Sequence, residues 1–405
     1  MPAIRTAASG SDPIRHARRR LTHRLVRTVA FGTTAVLVFG AAVAVTVYAR
    51  LAHNITSADV SGLLGTDRPT AERPPSADPD DPNAGRPLNI LLLGSDQRDG
   101  ANGALGGVVA GMRSDTAIVL HLSADRTRAD AVSIPRDLLV DIPACQLADG
   151  TMSRARHGQF NDAFAIGAGS AQSTPNAAAC AMKTVEQTSG IRFDTSDYLV
   201  ITFEGFVRMV DALGGIEVCI PNDIYSPDAN YLTLRAGQQT LTGATAVSYV
   251  RARQGKGLGD GSDTARIVRQ QQFLAATVRT VQSKNLLTDA PALLRFLDAA
   301  TSSVSASPGL ASIPALVGLA FSLRNTAGGD ITFLTIPSAQ AQSDKNRVVM
   351  TAAAADVWAN LAADRPIAPT SAPGVAAAGA APAPAPGNVP VKAAIRASDV
   401  PTACG

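Results

Sequence analysis

The sequence predicts an α/β layered domain over about residues 88–365, and three observations carry that reading. Short apolar runs alternate with helix-like patterns through the span. The runs stop at a glycine or at an Asp–Arg pair, as strands do where they meet loops. Ahead of the domain lie an uncharged 22-residue run and a proline-rich stretch, and behind it an Ala/Pro-rich tail, none of which reads as part of a layered core.

Taken in order, NILLLG (89–94) is a buried strand that ends at Gly94. AIVLHL (117–122) and ADAVSIP (129–135) are two further strands, separated by the turn-like SADRTR. NAAACAMKTVEQTS (176–189) is helical and closes at Gly190, and FEGFVRMVDALGG (203–215) is a helix whose glycine pair suits a left-handed cap. GIEVCIP (215–221) returns as a strand. GATAVSYVRAR and DTARIVRQQQFLAATVRTVQ are two more helices, the second carrying Ile267, Phe273, Leu274 and Val278 at helical spacing. ITFLTIP (331–337) is a late strand and MTAAAADVWANLAAD a final helix.

The chain has 405 residues, 46% apolar and 17% charged, enough to bury a large core, whereas 4% aromatics argue against aromatic-lined nucleic-acid or sugar platforms. Its charge of +3 is unevenly spread. Seven arginines face only Asp12 within residues 1–27, so the remainder is net acidic and no basic nucleic-acid binder. Thr28–Ala49 carries no charge; at helical rise it spans about 33 Å, enough to cross a hydrocarbon core. It is longer than a signal-peptide core and is not followed by a convincing cleavage site. The arginines then place the N-terminus in the cytoplasm and the rest outside the cell membrane. The expected organisation is a cytoplasmic tail (1–27), a transmembrane helix (28–49), a juxtamembrane stretch and Pro-rich spacer (50–87), the domain (88–365) and a disordered Ala/Pro-rich tail (366–405). DPDDPN within the spacer lacks the glycine and terminal glutamate of an EF-hand loop and reads as linker. The cysteines show no CxxC spacing. Outside the membrane they favour disulfides, with Cys145–Cys180 expected as one pair and a buried free thiol left open for Cys219.

There is no GxxxxGK[ST], HExxH or GxSxG. Of the five histidines, His16 and His23 lie in the tail and His53 beside the membrane; of His121 and His157, His121 sits in an apolar strand and reads as a packed histidine, which argues against a His-based triad or a zinc hydrolase. Asp and Arg residues mark the ends of the strands instead: Asp96 and Arg98 after the first, Arg113 and Asp115 before the second, Arg136 and Asp137 after the third. Arg251 and Arg253 follow in YVRAR, then Arg266, Arg269 and Gln270, with 266 and 270 on one helix face. Strand ends are where open α/β sheets hold ligands, and arginine grips phosphate oxygens with a fork of donors. Carboxylates beside such arginines suit a hard divalent cation bridging phosphate oxygens. Any one pair is more simply a surface salt bridge; the series, flanking the most apolar segments, is harder to explain that way.

Here the chain resembles the LytR–CpsA–Psr family of membrane-anchored cell-envelope glycopolymer transferases. NILLLGSDQR, RSDT, SIPRDL, QFNDAF, FEGFVRMVDALGGIEVCIP, GATAVSYVRAR and DTARIVRQQQFL occur in the family's order over about 280 residues, after a single N-terminal anchor, with actinobacterial details such as CQLADG and LGDGSD. The resemblance implies a three-layer α/β/α domain with a central mixed sheet and a hydrophobic pocket for a polyprenyl chain, the carrier's pyrophosphate at its mouth. It implies Asp96 and Asp115 as carboxylates for Mg²⁺ (or Mn²⁺), and Arg113, Arg136, Arg251, Arg253, Arg266 and Gln270 as the pyrophosphate set, to which Arg98 is added from its place after the first strand. Asp96, Arg136, Arg251 and Arg253 are the expected catalytic residues. Gln159 stands where the family often has lysine; a neutral amide supplies no charge to phosphate, so it is left out. The implied function is a phosphotransferase that moves a glycopolymer from a polyprenyl-pyrophosphate carrier to peptidoglycan through a phosphodiester link. The glycan is open between arabinogalactan, which the actinobacterial details favour, and a teichoic-type polymer. The alternatives are a polyprenyl-pyrophosphate phosphatase using the same residues and a non-catalytic envelope sensor or attenuator, for which an Arg-rich tail of 27 residues offers no effector module.

Overall fold

The computed structural model describes residues 14–69, 85–96, 111–195, 197–284, 289–302, 304–312, 331–367, 394–396 and 404. The chain divides into two compact units, Met1–Leu51 and Ala52–Gly405.

The first unit is dominated by helix α1, Ile14–Asn54. Its Arg24–Asn54 segment is the one helix among the described residues long and apolar enough to cross a membrane, judged by length and composition. Phe31, Leu37 and Phe39 are exposed on it. Its threonines turn their hydroxyls inward along the helix, Thr33 donating to the Val29 carbonyl at 3.0 Å and Thr46 to that of Ala42 at 2.8 Å. A hydroxyl satisfied within its own helix is compatible with a surrounding that offers no water.

In the second unit the order begins with β1 (Thr56–Ser57), α2 (Ser61–Leu64), β2 (Leu88–Ser95), β3 (Ser114–Leu122) and β4 (Ala129–Ile134). A hairpin follows, β5 (Leu139–Ile142) and β6 (Arg156–Gln159), then α3 (Phe160–Ala168), α4 (Thr174–Ser189), β7 (Tyr198–Thr202) and α5 (Phe203–Ala212). Next come β8 (Ile216–Ile220), β9 (Ile224–Ser226), β10 (Leu232–Leu234), β11 (Gly237–Leu241), α6 (Gly243–Arg251), α7 (Asp263–Ser283) and α8 (Ala290–Thr301). The described chain closes with β12 (Val304–Ala306), β13 (Ile331–Thr335), β14 (Ser338–Gln340), β15 (Val348–Met350), α9 (Ala352–Ala362) and β16 (Ile395–Arg396).

The main sheet is mixed, in the order β1-β12-β7-β2-β3-β4-β13-β16. The β2–β7 and β4–β13 pairs are parallel, whereas β2–β3 and β3–β4 are antiparallel. Helices cover both faces. Leu91, Leu93, Val119 and Val132 pack with residues of α3, α4 and α9 on one side. Ile90, Ile118, Leu122 and Phe333 pack with Ala275 of α7 on the other. Burial on both faces explains why β2 is an almost unbroken apolar run rather than an alternating one. A further core joins α5, α6 and β8–β11 through Leu213, Ile216, Tyr249 and Phe273.

The strands and helices expected from the sequence all form, with ends shifted by a few residues. Elements with weaker signals were not expected: the polar strand RHGQ of β6, the β9–β10 hairpin, and β7, which passes into α5 with only Thr202 as a break. Two expected appendages differ from the structure. In the 50–87 stretch, Val60 and Leu64 are fully buried in the main core, and Arg68 makes a two-pronged pair with Glu186 at 2.9 and 2.6 Å. That segment is thus part of the main core rather than spacer; residues 70–84 lie outside the described residues. In the tail, 368–393 lie outside as well, but β16 pairs with β13 at the sheet edge and Cys404 is disulfide-bonded to Cys219. A covalent tie thus holds an end that composition marked as disordered, and Cys219 is no free thiol. The expected Cys145–Cys180 disulfide is present, joining the segment after β5 to α4.

Candidate active site

The register of the sheet gathers the predicted residues at one edge. Ser95, at the end of β2, lies opposite Ser114 of β3 and Thr202 of β7, and Ala117 lies opposite Ile134 at the end of β4. Asp96, Asp115, Arg136 and Phe203 therefore emerge side by side where β2, β4 and β7 finish and β3 begins. A register shift falls between Gly94 and Ser95. A Cβ on Gly94 would stand 3.2 Å from the Thr116 Cβ, so glycine permits the close strand approach there. α6 delivers Arg251 at its last turn, and α7 starts at Asp263, with the Ser262 hydroxyl accepting from Ala265 N–H at 3.1 Å as N-cap. An acid at the first position of that helix is favoured by the helix dipole.

Between the sheet edge and helices α5, α6 and α7 lies a cavity of about 840 Å³. One part of its wall is apolar, formed by Leu92, Ile118, Ile201, Phe203, Phe206, Val247, Val250, Phe273 and Leu274. The other part carries Asp115, Arg136, Arg251, Arg253, Arg266 and Gln270.

The charges interlock around Arg136, whose Nη1 donates to Asp115 Oδ1 at 2.7 Å. Its Nε stands 3.5 Å from Asp137 and 3.8 Å from Asp263. Arg266 reaches Asp263 at 2.5 Å and donates to the Asp115 carbonyl at 3.2 Å. Arg253 lies 3.9 Å from Asp137. The Arg251 guanidinium sits over the Phe203 ring, 4.2 Å from its centroid, in cation–π contact. Burial pushes the Asp115 carboxyl up, but Arg136, Arg266 and Arg251 outweigh it and hold the group below the usual carboxylate range. For Asp263 burial wins: with Asp137 adding repulsion, its pKa is raised despite the nearby arginines. Burial likewise lowers that of Arg266. The network is incompletely hydrogen-bonded: the Nε atoms of Arg136, Arg253 and Arg266 and Asp263 Oδ2 are buried without a hydrogen bond, and Asp263 Oδ1 meets Arg266 and Arg136 only as ion pairs. Unmet buried donors beside a cavity are costly unless a ligand completes them.

Of the sequence-predicted set, Asp115, Arg136, Arg251, Arg253, Arg266 and Gln270 meet on one cavity wall. Asp96 is buried just behind it, its Oδ1 accepting from the Arg113 backbone N–H at 2.6 Å. Arg113 itself is exposed and does not line the cavity; its backbone holds Asp96. Arg98 lies outside the described residues. Arg269 is turned away from the cavity wall onto the carbonyls of Leu258 and Ala252, which anchors the loop after α6. His121 is packed, bonding Asn89 at 2.8 Å and Asp364 at 3.0 Å. Gln159, with its amide oriented to satisfy both neighbours, donates to Asp137 and accepts from Arg347, each at 3.0 Å. It thus braces the network from behind. Sequence reasoning missed Asp263 and Phe203; the first reads as an ordinary helix-start acid and the second as one of many apolar helix residues, so neither carried a distinguishing signal.

Fold and site together place an apolar wall and a guanidinium cluster in one cavity at the sheet edge. The LytR_cpsA_psr family model matches residues 47–363, and the chain belongs to that family. It is 34% identical over 268 residues to the cell wall biosynthesis protein LcpA of Corynebacterium glutamicum, a match covering 62% of this chain and 49% of that protein. It is 30% identical over 210 residues to the polyisoprenyl-teichoic acid–peptidoglycan teichoic acid transferase TagU of Oceanobacillus iheyensis, covering 52% of this chain and 56% of that one. The chain thus spans about half the length of the curated relatives it matches. Among solved structures it is similar to a LytR-Csp2A-Psr enzyme from Actinomyces oris, at a TM-score of 0.51 and 20% identity over 76% of this chain and 96% of that one. A protein from Streptococcus agalactiae gives a TM-score of 0.53 at 20% identity, over 69% and 87% of the two chains. These two likenesses show the fold.

Proposed function

We propose that this chain is a membrane-anchored transferase that moves a glycopolymer from a polyprenyl-pyrophosphate carrier to peptidoglycan and leaves it attached through a phosphodiester. The observation that carries this reading is the cavity with two chemistries in one wall, apolar side chains from Leu92 to Leu274 and a guanidinium cluster at Arg136, Arg251, Arg253 and Arg266. An isoprenoid diphosphate has the same two parts. The name of the Oceanobacillus relative supports the reaction class. In this reading α1 is the anchor, its Arg-rich end in the cytoplasm and the second unit outside.

The acceptor hydroxyl attacks the phosphorus that bears the sugar. The bond from that phosphorus to the bridging oxygen breaks, polyprenyl phosphate leaves, and the hydroxyl proton passes to solvent or a nearby base. The protein's contribution is charge and alignment. Arg136, Arg253 and Arg266 bring buried Nε donors that make no hydrogen bond in the chain, and these meet the non-bridging phosphate oxygens. Arg251, held against Phe203, adds a guanidinium already fixed in place. Asp115 stays ionised because the arginines depress its pKa, and Asp96 is buried beside the same strand ends. Among the described residues there is no cluster of three or more metal-binding side chains. Asp96 and Asp115 would hold Mg²⁺ (or Mn²⁺) there, and the ion would offset diphosphate charge.

The test supplies the detergent-solubilised full-length chain with a polyprenyl-pyrophosphate-linked saccharide and a peptidoglycan fragment. Mass spectrometry should show the saccharide phosphate on the acceptor, at a rate reduced at least about a hundredfold by Arg251→Ala. Release of free saccharide phosphate regardless of acceptor would identify a hydrolase instead.

A further inference from the structure

The cavity has a third stretch of wall that neither the apolar chain nor the diphosphate explains. Asp228, Asn230 and Gln254 line it at the mouth, all three exposed, with no guanidinium or ammonium group among them. A carboxylate there repels phosphate, and two neutral amides offer donors and acceptors in pairs. That is the chemistry of a site for uncharged, hydroxyl-rich groups.

The stretch is also held rigidly to the arginines. Asp228 and Asn230 sit in the turn between β9 and β10. Ser226, at the start of that turn, is buried and donates its hydroxyl to the Gln254 carbonyl at 2.6 Å. Tyr225 and Lys256 exchange backbone hydrogen bonds at 3.1 and 2.9 Å. The turn is therefore stitched to the segment that directly follows Arg251 and Arg253. The approach is so close that a Cβ on Gly255 would stand 2.2 Å from the Tyr225 carbonyl oxygen, and one on Gly257 2.2 Å from that of Asp223. Both glycines adopt positive φ, 137° and 77°. Within the turn Asn230 and Tyr231 lie in the left-handed region at φ of 59° and 53°. Two consecutive non-glycine residues in that conformation are uncommon, and such backbone persists where the surrounding structure over-determines it.

We propose that this rim, Asp228, Asn230 and Gln254, is the subsite for the saccharide attached to the carrier's diphosphate, reading its hydroxyls by hydrogen bonds. The inference rests on the transferase reading above and adds where glycan selectivity resides. The rim is fixed to the arginine segment, so a sugar joined to a diphosphate held by Arg251 and Arg253 is presented to it in one register. Selectivity arises because a site built to bond hydroxyls binds poorly a ligand that lacks them.

The experiment measures affinity of the full-length chain in detergent for two soluble probes, farnesyl pyrophosphate and farnesyl pyrophosphate carrying N-acetylglucosamine on its terminal phosphate. The variant is Asp228→Ala/Asn230→Gly/Gln254→Ala; glycine at 230 removes the side chain while keeping the positive φ accessible. The wild type should bind the glycosylated probe about tenfold more tightly, and the variant should lose that preference while binding the bare probe at least as tightly as the wild type does, since the carboxylate that repels phosphate is gone. Undiminished affinity for the bare probe also reports that the variant is folded. Retention of the preference in the variant, or equal binding of both probes by the wild type, overturns the rim assignment while leaving the carrier site intact. Failure of the wild type to bind either probe overturns the transferase reading itself.

Discussion

Two regions of the second unit are built from the same residue types and finish differently. On β3 and β4, Arg128 donates to Asp130 at 2.7 Å and to Asp364 at 2.7 Å, Asp364 also accepts from the Ala124 backbone, and His121 lies between Asp364 and Asn89. Except for one oxygen of Asp130, that network is closed, each group answered by another in the chain. At the sheet edge, Arg136, Arg253, Arg266 and Asp263 are as deeply involved with one another, yet buried donors and acceptors remain without hydrogen bonds. The first cluster borders no cavity among those described, whereas the second forms the wall of one. Asp–Arg pairing alone therefore marks nothing; incomplete pairing beside open volume marks a site.

The sharpest way to break this contrast is to remove one arginine from each cluster. Arg136→Ala should lower transfer at least about a hundredfold, since a preorganised cation facing developing charge is lost. Arg128→Ala should leave transfer within a few-fold of wild type but destabilise the chain by about 3 kcal/mol, because Asp130 is left buried without its partner. Urea unfolding followed by the fluorescence of Trp358, the single tryptophan and buried in the main core, reads the stability; the same preparations read transfer. An Arg128 variant as inactive as the Arg136 variant would erase the distinction.

A smaller effect sharpens it. Asp263 has a raised pKa and Asp115 a lowered one, so as pH falls Asp263 takes its proton first. In the interval between the two, the cluster gains one positive charge while Asp115 stays ionised. A glycosylated diphosphate has no group titrating there. Its affinity should accordingly rise a few-fold as pH drops from neutrality towards that interval, and Asp263→Asn should abolish the dependence. A pH-independent affinity in the wild type would show that Asp263 does not sense the ligand.

Much of this was legible in the chain. A short continuous apolar run such as NILLLG, stopped at Gly94, reads as a strand buried on both faces, which puts the charged residues that end it along a sheet edge. The side of the sheet on which Arg251, Arg253 and Arg266 close over that edge depends on α6 and α7 packing against it, which no local pattern encodes. Asp263 was invisible for a related reason: at a helix start an acid is routine, and only tertiary burial among Arg136 and Arg266 makes it unusual. Arg113 differs, since the resemblance implied a phosphate contact for it, whereas its side chain is exposed and its backbone N–H bonds Asp96. The ordering of Cys404 was beyond reach because a disulfide over 185 residues leaves no local trace.

The central claim, an isoprenoid diphosphate held between the apolar wall and the guanidinium cluster, is tested most directly by lipid mass spectrometry of the full-length chain purified from its membrane. A polyprenyl phosphate or pyrophosphate should co-purify with the wild type and be lost from the Arg251→Ala variant. Absence of such a lipid from the wild type, or its undiminished recovery with the variant, would contradict the account.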